Sequence, residues 1–93
     1  MAPKPACILR ALANERRLAI LMLLSGGELS VGEIEARLGV SQSALSQHLA
    51  RLREARLVRT RREGQHVRYR LADPGALEIA AALLALAGRQ EAS

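Results

Sequence analysis

Ninety-three residues with a formal charge of +5 and one cysteine describe a single domain over 1–93, too small to bury a large share of its surface alone, so a second copy is expected to complete the core. With Tyr69 the only aromatic residue, the interior must be built from Leu, Ile, Val and Ala, which suits closely packed helices and disfavours an all-β sandwich. Cys7 alone excludes an intrachain disulfide, no secretory signal pattern stands near the amino terminus, and the longest apolar run, Ile79 to Ala87, is far below the ~20 residues that span a bilayer. A cytoplasmic chain, nucleoid-associated if it binds DNA, is the expectation.

In chain order, Ile8, Leu9 and Leu12 fall at helical spacing after Pro3 and Pro5 and predict a first helix from about Pro5 to Ala13. Asn14 offers an N-cap to a second helix that runs from Glu15 through Leu18, Ile20, Leu21, Leu23 and Leu24 to a stop at Gly26-Gly27; so apolar a helix must be the hub of the core. Ser30 followed by Glu33 forms a capping box that starts a third helix at about Val31, and Leu38-Gly39 ends it with a left-handed C-cap. Ser41 caps a fourth helix. On it Leu45, Leu49, Leu52 and Arg56 share one side and Ser43, Gln47, Ala50 and Glu54 the other; Gln42 and Ser46 lie on one edge, Ala44 and Arg51 on the other.

From Leu57 the period becomes two. Val58 and Thr60, then Val67, Tyr69 and Leu71, alternate with Arg59, Arg61, Arg68 and Arg70 about a Glu63-Gly64-Gln65 turn, which predicts a two-stranded basic hairpin. Asp73-Pro74 then caps a last helix reaching about Gly88. Leu77, Ile79, Leu83, Leu84 and Leu86 make that helix apolar around most of its circumference, and packing on a second subunit explains it best, with Ile8, Leu77, Leu83 and Leu84 as the expected dimer contacts. The fold class expected is mainly α with a small β-hairpin: a homodimeric winged helix-turn-helix of about five helices and a two-stranded wing.

The chemistry separates into two elements. The fourth helix carries Gln42, Ser43, Ser46 and Gln47, uncharged groups able to hydrogen-bond to base edges. Residues 51 to 70 hold eight arginines against Glu54 and Glu63, a local balance of +6 that leaves −1 for the rest, and such a stripe is the footprint of phosphate binding. The expected contacts to double-stranded DNA are therefore Gln42, Ser43, Ser46, Gln47, His48 and Arg51 on the helix, with Arg61, Arg62 and Arg68 around the wing turn. His48 reads first as a helix-flank residue bonded to a nearby carbonyl and second as a phosphate contact. His66 reads as solvated and Tyr69 as a wing-to-core packing residue, since single-strand binders present several aromatics. Two distant histidines, one cysteine and no Gly-rich phosphate loop supply no nucleophile and base, so no enzyme is expected. The rival is a protein-docking module whose arginines meet an acidic partner.

The segments Ala11 to Leu21, Leu29 to Ile34 and Ser41 to Leu49 together resemble the ArsR/SmtB family of bacterial winged-helix repressors, over nearly the whole chain, and most resemble its HlyU/BigR/SqrR-like branch, in which the recognition helix also begins Ser-Gln-Ser. The resemblance implies a homodimer joined through first and last helices, recognition helices in successive major grooves of a pseudo-palindromic operator, and wings on flanking backbone. It also implies sensor sites from which this sequence departs. Ser30 and Gly32 stand at the Cys-x-Cys positions of the family's metal sensors, the last helix has no histidine, and Met22 and Gly88 stand at the branch's paired cysteines. No metal or other cofactor is expected, and Cys7, near Lys4 and Arg10, is left as the possible redox residue beside its plainer reading as a core thiol.

Overall fold

Ile20 and Leu21 have no exposed surface, and the other elements are arranged around the helix that carries them. The computed structural model describes residues 2–92. In order these form α1 (Pro5–Leu12), α2 (Glu15–Leu23), a 3₁₀ turn (Leu24–Gly26), β1 (Leu29–Ser30), α3 (Val31–Leu38), α4 (Gln42–Glu54), β2 (Val58–Glu63), β3 (His66–Leu71) and α5 (Pro74–Ala92). Met1 and Ser93, part of the expected 1–93 domain, lie outside the described residues. Helix α2 touches α1, α3, α4 and α5, so the helix richest in Leu and Ile is the hub. Ile34, Leu45 and Leu52 are likewise fully buried, and Tyr69 closes the core from the sheet side.

The helix boundaries follow from short-range chemistry. Asn14 Oδ1 accepts from the Arg17 amide at 3.1 Å, capping α2. Ser30 and Glu33 form the reciprocal capping box of α3, and Gly39 ends that helix at φ 71°, where a side chain would be strained. Ser41 Oγ accepts from the Ala44 amide at 3.2 Å and, as the N-cap, starts α4 at Gln42. Asp73 Oδ1 accepts from the Gly75 amide at 2.8 Å at the head of α5.

Two expectations need correction and the sheet one addition. The two-stranded wing β2–β3 forms as expected, and Leu29 and Ser30 add a short third strand to it, pairing antiparallel with Tyr69 and Arg68 in the order β1-β3-β2. Two residues are too few to show a period of two, and their ladder partner stands far along the chain. The last helix continues past Gly88 to Ala92. A mid-helix glycine costs about 1 kcal/mol against alanine, which does not break a helix that continues into Arg89 and Gln90. Arg56 does not share the leucine side of α4, because the helix stops at Glu54 and Arg56 takes φ 57°.

That stop is a Schellman closure. The Leu57 amide donates to Leu52 O at 3.0 Å and the Arg56 amide to Arg53 O at 2.9 Å, while Leu57 and Leu52 both lie in the core. The closure turns the chain from helix into β2, and it places a non-glycine residue in the left-handed region. Arg56→Gly is expected to relieve the Cβ strain and raise stability by ~0.5–1 kcal/mol, read as a higher urea midpoint at fixed protein concentration. A lower midpoint would mean that the arginine side chain contributes more than its backbone costs.

Candidate nucleic-acid interface

The rotation of α4 is set by its apolar side. Leu45, Leu49 and Leu52 are buried, so Gln42, Ser43, Ser46 and Gln47 are all held at the surface on the first two turns. Ser43 Oγ lies 3.5 Å from Ser41 Oγ. Gln42, Ser46 and Gln47 have no side-chain hydrogen-bond partner among the described residues, so their donors and acceptors are presented to solvent. Helix α3, the turn through Gly39 and the half-buried Val40, and α4 make the helix-turn-helix.

His48 lies on the flank, half-buried, with Nδ1 3.4 Å from Nη1 of Arg17. Arg17 itself is held by α1: Nε donates to Ala11 O at 2.7 Å and Nη2 to Arg10 O at 2.8 Å, so one guanidinium caps the end of α1 and braces α4. Burial, then the charges of Arg17 and Arg16, lowers the His48 pKa from its usual 6.5. With an arginine donating to Nδ1, the neutral ring carries its proton on Nε2. Burial and then the nearby Arg51 charge lower the Arg17 pKa in turn.

The sheet has two chemical faces. Leu29, Val58, Thr60, Arg62, Val67, Tyr69 and Leu71 share one, and Ser30, Arg59, Arg61, Glu63, His66, Arg68 and Arg70 the other, as the pairing register dictates. On the second face Arg61 reaches Glu28 at 2.7 Å and Glu63 at 3.0 Å, and Arg68 reaches Glu33 at 3.4 Å and Glu63 at 3.5 Å. Hydrogen bonding to Arg61 holds the Glu28 and Glu63 carboxyls below their usual range and raises the Arg61 pKa; Glu33 is lowered first by its hydrogen bond to the Ser30 amide. Arg62 makes no ion pair among the described residues and stands exposed near the turn, where Gly64 takes the φ of 63° that a Gly-X hairpin turn needs. Arg51 pairs only with Glu54, at 3.7 Å. The carboxylate partners Glu28 and Glu33 are absent from the sequence-level site because β1, which brings them to the wing, carries no pattern of its own.

A separate apolar surface is formed by α1, α2 and α5. Leu9 is 66 % exposed, Ile79 50 %, Leu83 38 % and Leu86 45 %, and with Leu12, Leu18 and Leu84 most of them line a groove of about 530 Å³ between α1, α2 and α5. Ile8 and Leu84 pack against the chain's own core, and Leu77 is half-buried. The exposed stripe Ile79, Leu83, Leu86 is spaced four and then three residues apart along α5, and Leu9, Ile79 and Leu86 are the members absent from the expected dimer contacts. Cys7 is half-buried against the core. Among the described residues no cluster of three His, Cys, Asp or Glu could hold a metal ion, and no helix is long and apolar enough to cross a membrane.

Residues 14–60 match the model of the family described as bacterial regulatory protein, arsR family. The chain is 60 % identical over 68 residues to the transcriptional activator HlyU of Vibrio cholerae, covering 73 % of this chain and 63 % of that protein. It is 46 % identical over 85 residues to the biofilm growth-associated repressor of Agrobacterium fabrum, covering 91 % and 73 % respectively. Among solved structures, the homodimeric winged helix-turn-helix DNA-binding domain of a possible ArsR-family regulator from Mycobacterium bovis superposes with a TM-score of 0.76 at 37 % identity, covering 89 % of this chain and 77 % of that one. The chain thus spans just under two thirds of the Vibrio relative's length.

Because the folded-state pKa of His48 is depressed, the neutral ring's contribution to stability is complete above the unfolded value of 6.5 and is lost as pH falls through the lower folded value. Between about pH 7.5 and about pH 5 the urea midpoint of the wild type is expected to fall further than that of His48→Gln, with His66 common to both. Parallel curves would remove the Arg17–His48 brace from the account.

Proposed function

The chain belongs to the arsR family of bacterial regulatory proteins, and from that premise we propose that it is a cytoplasmic, sequence-specific double-stranded DNA-binding regulator that works as a homodimer on a pseudo-palindromic operator. Its most direct action is occlusion of promoter DNA, which represses. The observation that supports this reading is the exposed polar row Gln42, Ser43, Ser46 and Gln47 on a helix whose other side is locked by leucines, a rigid and unobstructed shape suited to a major groove.

Each group has a role in the proposal. Gln47, at the centre of the exposed face, bonds adenine through both its amide atoms; Ser43 and Ser46 reach neighbouring base edges and Gln42 the groove entrance. Arg51 and the Nε2–H of His48 meet phosphate at the helix flank. On the wing, Arg62 meets phosphate directly, whereas Arg61 and Arg68 must exchange a carboxylate for a phosphate to do so. The stripe Leu9, Ile79, Leu83 and Leu86, backed by Ile8, Leu77 and Leu84, forms the seam with the second copy, and that seam sets the distance between the two recognition helices.

Gln47→Ala is expected to cost ~1–3 kcal/mol on the preferred duplex and to relax specificity at one position per half-site, measured by binding to single-base variants. Equal weakening on every duplex would contradict base reading. Arg62→Ala should lower the salt slope of log K by about 0.9 for each phosphate it ceases to neutralise, while Arg61→Ala, whose charge is already shared with Glu28 and Glu63, should lower it less. The reverse order would place Arg61 at the backbone. Leu83→Glu should yield a folded monomer by sedimentation and circular dichroism, whereas Leu84→Glu should also lower stability, because that side chain is half-buried against the core. A dimeric Leu83→Glu protein would move the seam elsewhere.

A further inference from the structure

Helices α1, α2 and α4 meet around a polar cleft of about 340 Å³ lined by Cys7, Arg10, Ala11, Arg17, Arg51 and Glu54. Three guanidinium groups face one carboxylate. Arg17 cannot swing away to water, because its donors are tied to Ala11 O, Arg10 O and His48. Arg51 shares only the long 3.7 Å contact with Glu54, both side chains being mostly exposed, and such a pair is worth little. Arg10 has no ion pair among the described residues, and His48 at the back adds no charge while neutral. The Arg51 charge helps to depress the Arg17 pKa, so the positive field is felt within the cleft, and Glu54 can offset only one of its three positive charges.

The position gives the field a partner. Residues 47 and 51 are one turn apart on the same side of α4, about 40° round the helix axis, so a duplex that meets Gln47 with its bases brings its backbone toward Arg51. Guanidinium forks match phosphate oxygens in pairs, and a cleft with forks on two walls suits a tetrahedral oxoanion. We infer that the Arg10, Arg17 and Arg51 cleft is a phosphate site that seats a backbone phosphate beside the recognition helix, away from the wing. The inference rests on the DNA-binding reading for the identity of the phosphate, though not for the site itself. Arg17 preorganises the cleft, and Arg10 and Arg51 close on the oxygens with Glu54 displaced.

Arg17 also caps α1, so the test uses the outer two arginines. Binding of the dimer to a mixed-sequence duplex is measured against KCl concentration for the wild type, Arg10→Gln, Arg51→Gln, the double variant and Glu54→Gln, with Arg89→Gln as a remote control. In parallel, melting of the wild type and the double variant without DNA is compared in sodium phosphate and in sodium chloride at matched ionic strength. For a seated backbone phosphate, the salt slope drops in both arginine variants, by about 0.9 per phosphate in each chain, Glu54→Gln binds more tightly, and Arg89→Gln is unchanged. Phosphate-specific stabilisation of the wild type that the double variant lacks shows the same site taking free phosphate. Should the wild type bind no duplex, the DNA reading fails and the melting comparison alone decides the cleft. Unchanged slopes together with an identical phosphate response in wild type and double variant overturn the inference.

Discussion

One helix must pack a core with one side and present a polar row with the other, and the rest of the molecule follows from how α4 does so. Leu45, Leu49 and Leu52 lock against the interior that α2 and α3 supply through Ile20, Leu21 and Ile34, so α4 cannot rotate without exposing leucine or burying glutamine. Burial of each leucine is worth roughly 1.5–3 kcal/mol, far more than any solvent-facing hydrogen bond could recover. The polar row is thereby presented in a fixed orientation, and the Arg17 brace between the end of α1 and His48 holds the helix from the opposite flank.

What is legible in the sequence is what neighbours along the chain decide. Asn14, Ser30 with Glu33, Gly39 and Ser41 each act within four residues, and each bounds its helix as the pattern implies. The exposed side of α4 is legible for the same reason, since a period of 3.6 is a local property. The third strand is not, because Leu29 and Ser30 gain their conformation from Tyr69 and Arg68 across the chain. The carboxylates that hold Arg61 and Arg68 depend on that strand and are hidden with it. Arg56 misleads through continuity of pattern: its spacing fits α4, but the core position of Leu57 forces the Schellman closure one residue earlier. On α5 the apolar content is evident, while the division between core-facing Leu84 and outward Ile79, Leu83 and Leu86 depends on which alanines, Ala76 and Ala80, approach the hub.

The arginines are not equivalent. On the outer face of the sheet Glu28, Glu33 and Glu63 neutralise part of the positive charge in the free protein, which limits the number of counterions the wing can exchange. Arg62 at the turn has no ion pair among the described residues, and in the cleft beside α4 three arginines meet the single carboxylate of Glu54. On the proposed function, non-specific attraction is thus moderated on the wing and concentrated near α4. Such an arrangement favours discrimination between sites over bulk affinity, because backbone contacts contribute equally to all sequences.

The central claim is that α4 reads bases and that the apolar seam sets two such helices on one face of the duplex. Enrichment of bound duplexes from a random DNA library tests it most directly. The account predicts an inverted repeat whose half-site centres lie about one helical turn, ~10 bp, or a multiple of it apart. Recovery of unenriched sequence, or of a single half-site with no symmetric partner, would contradict it.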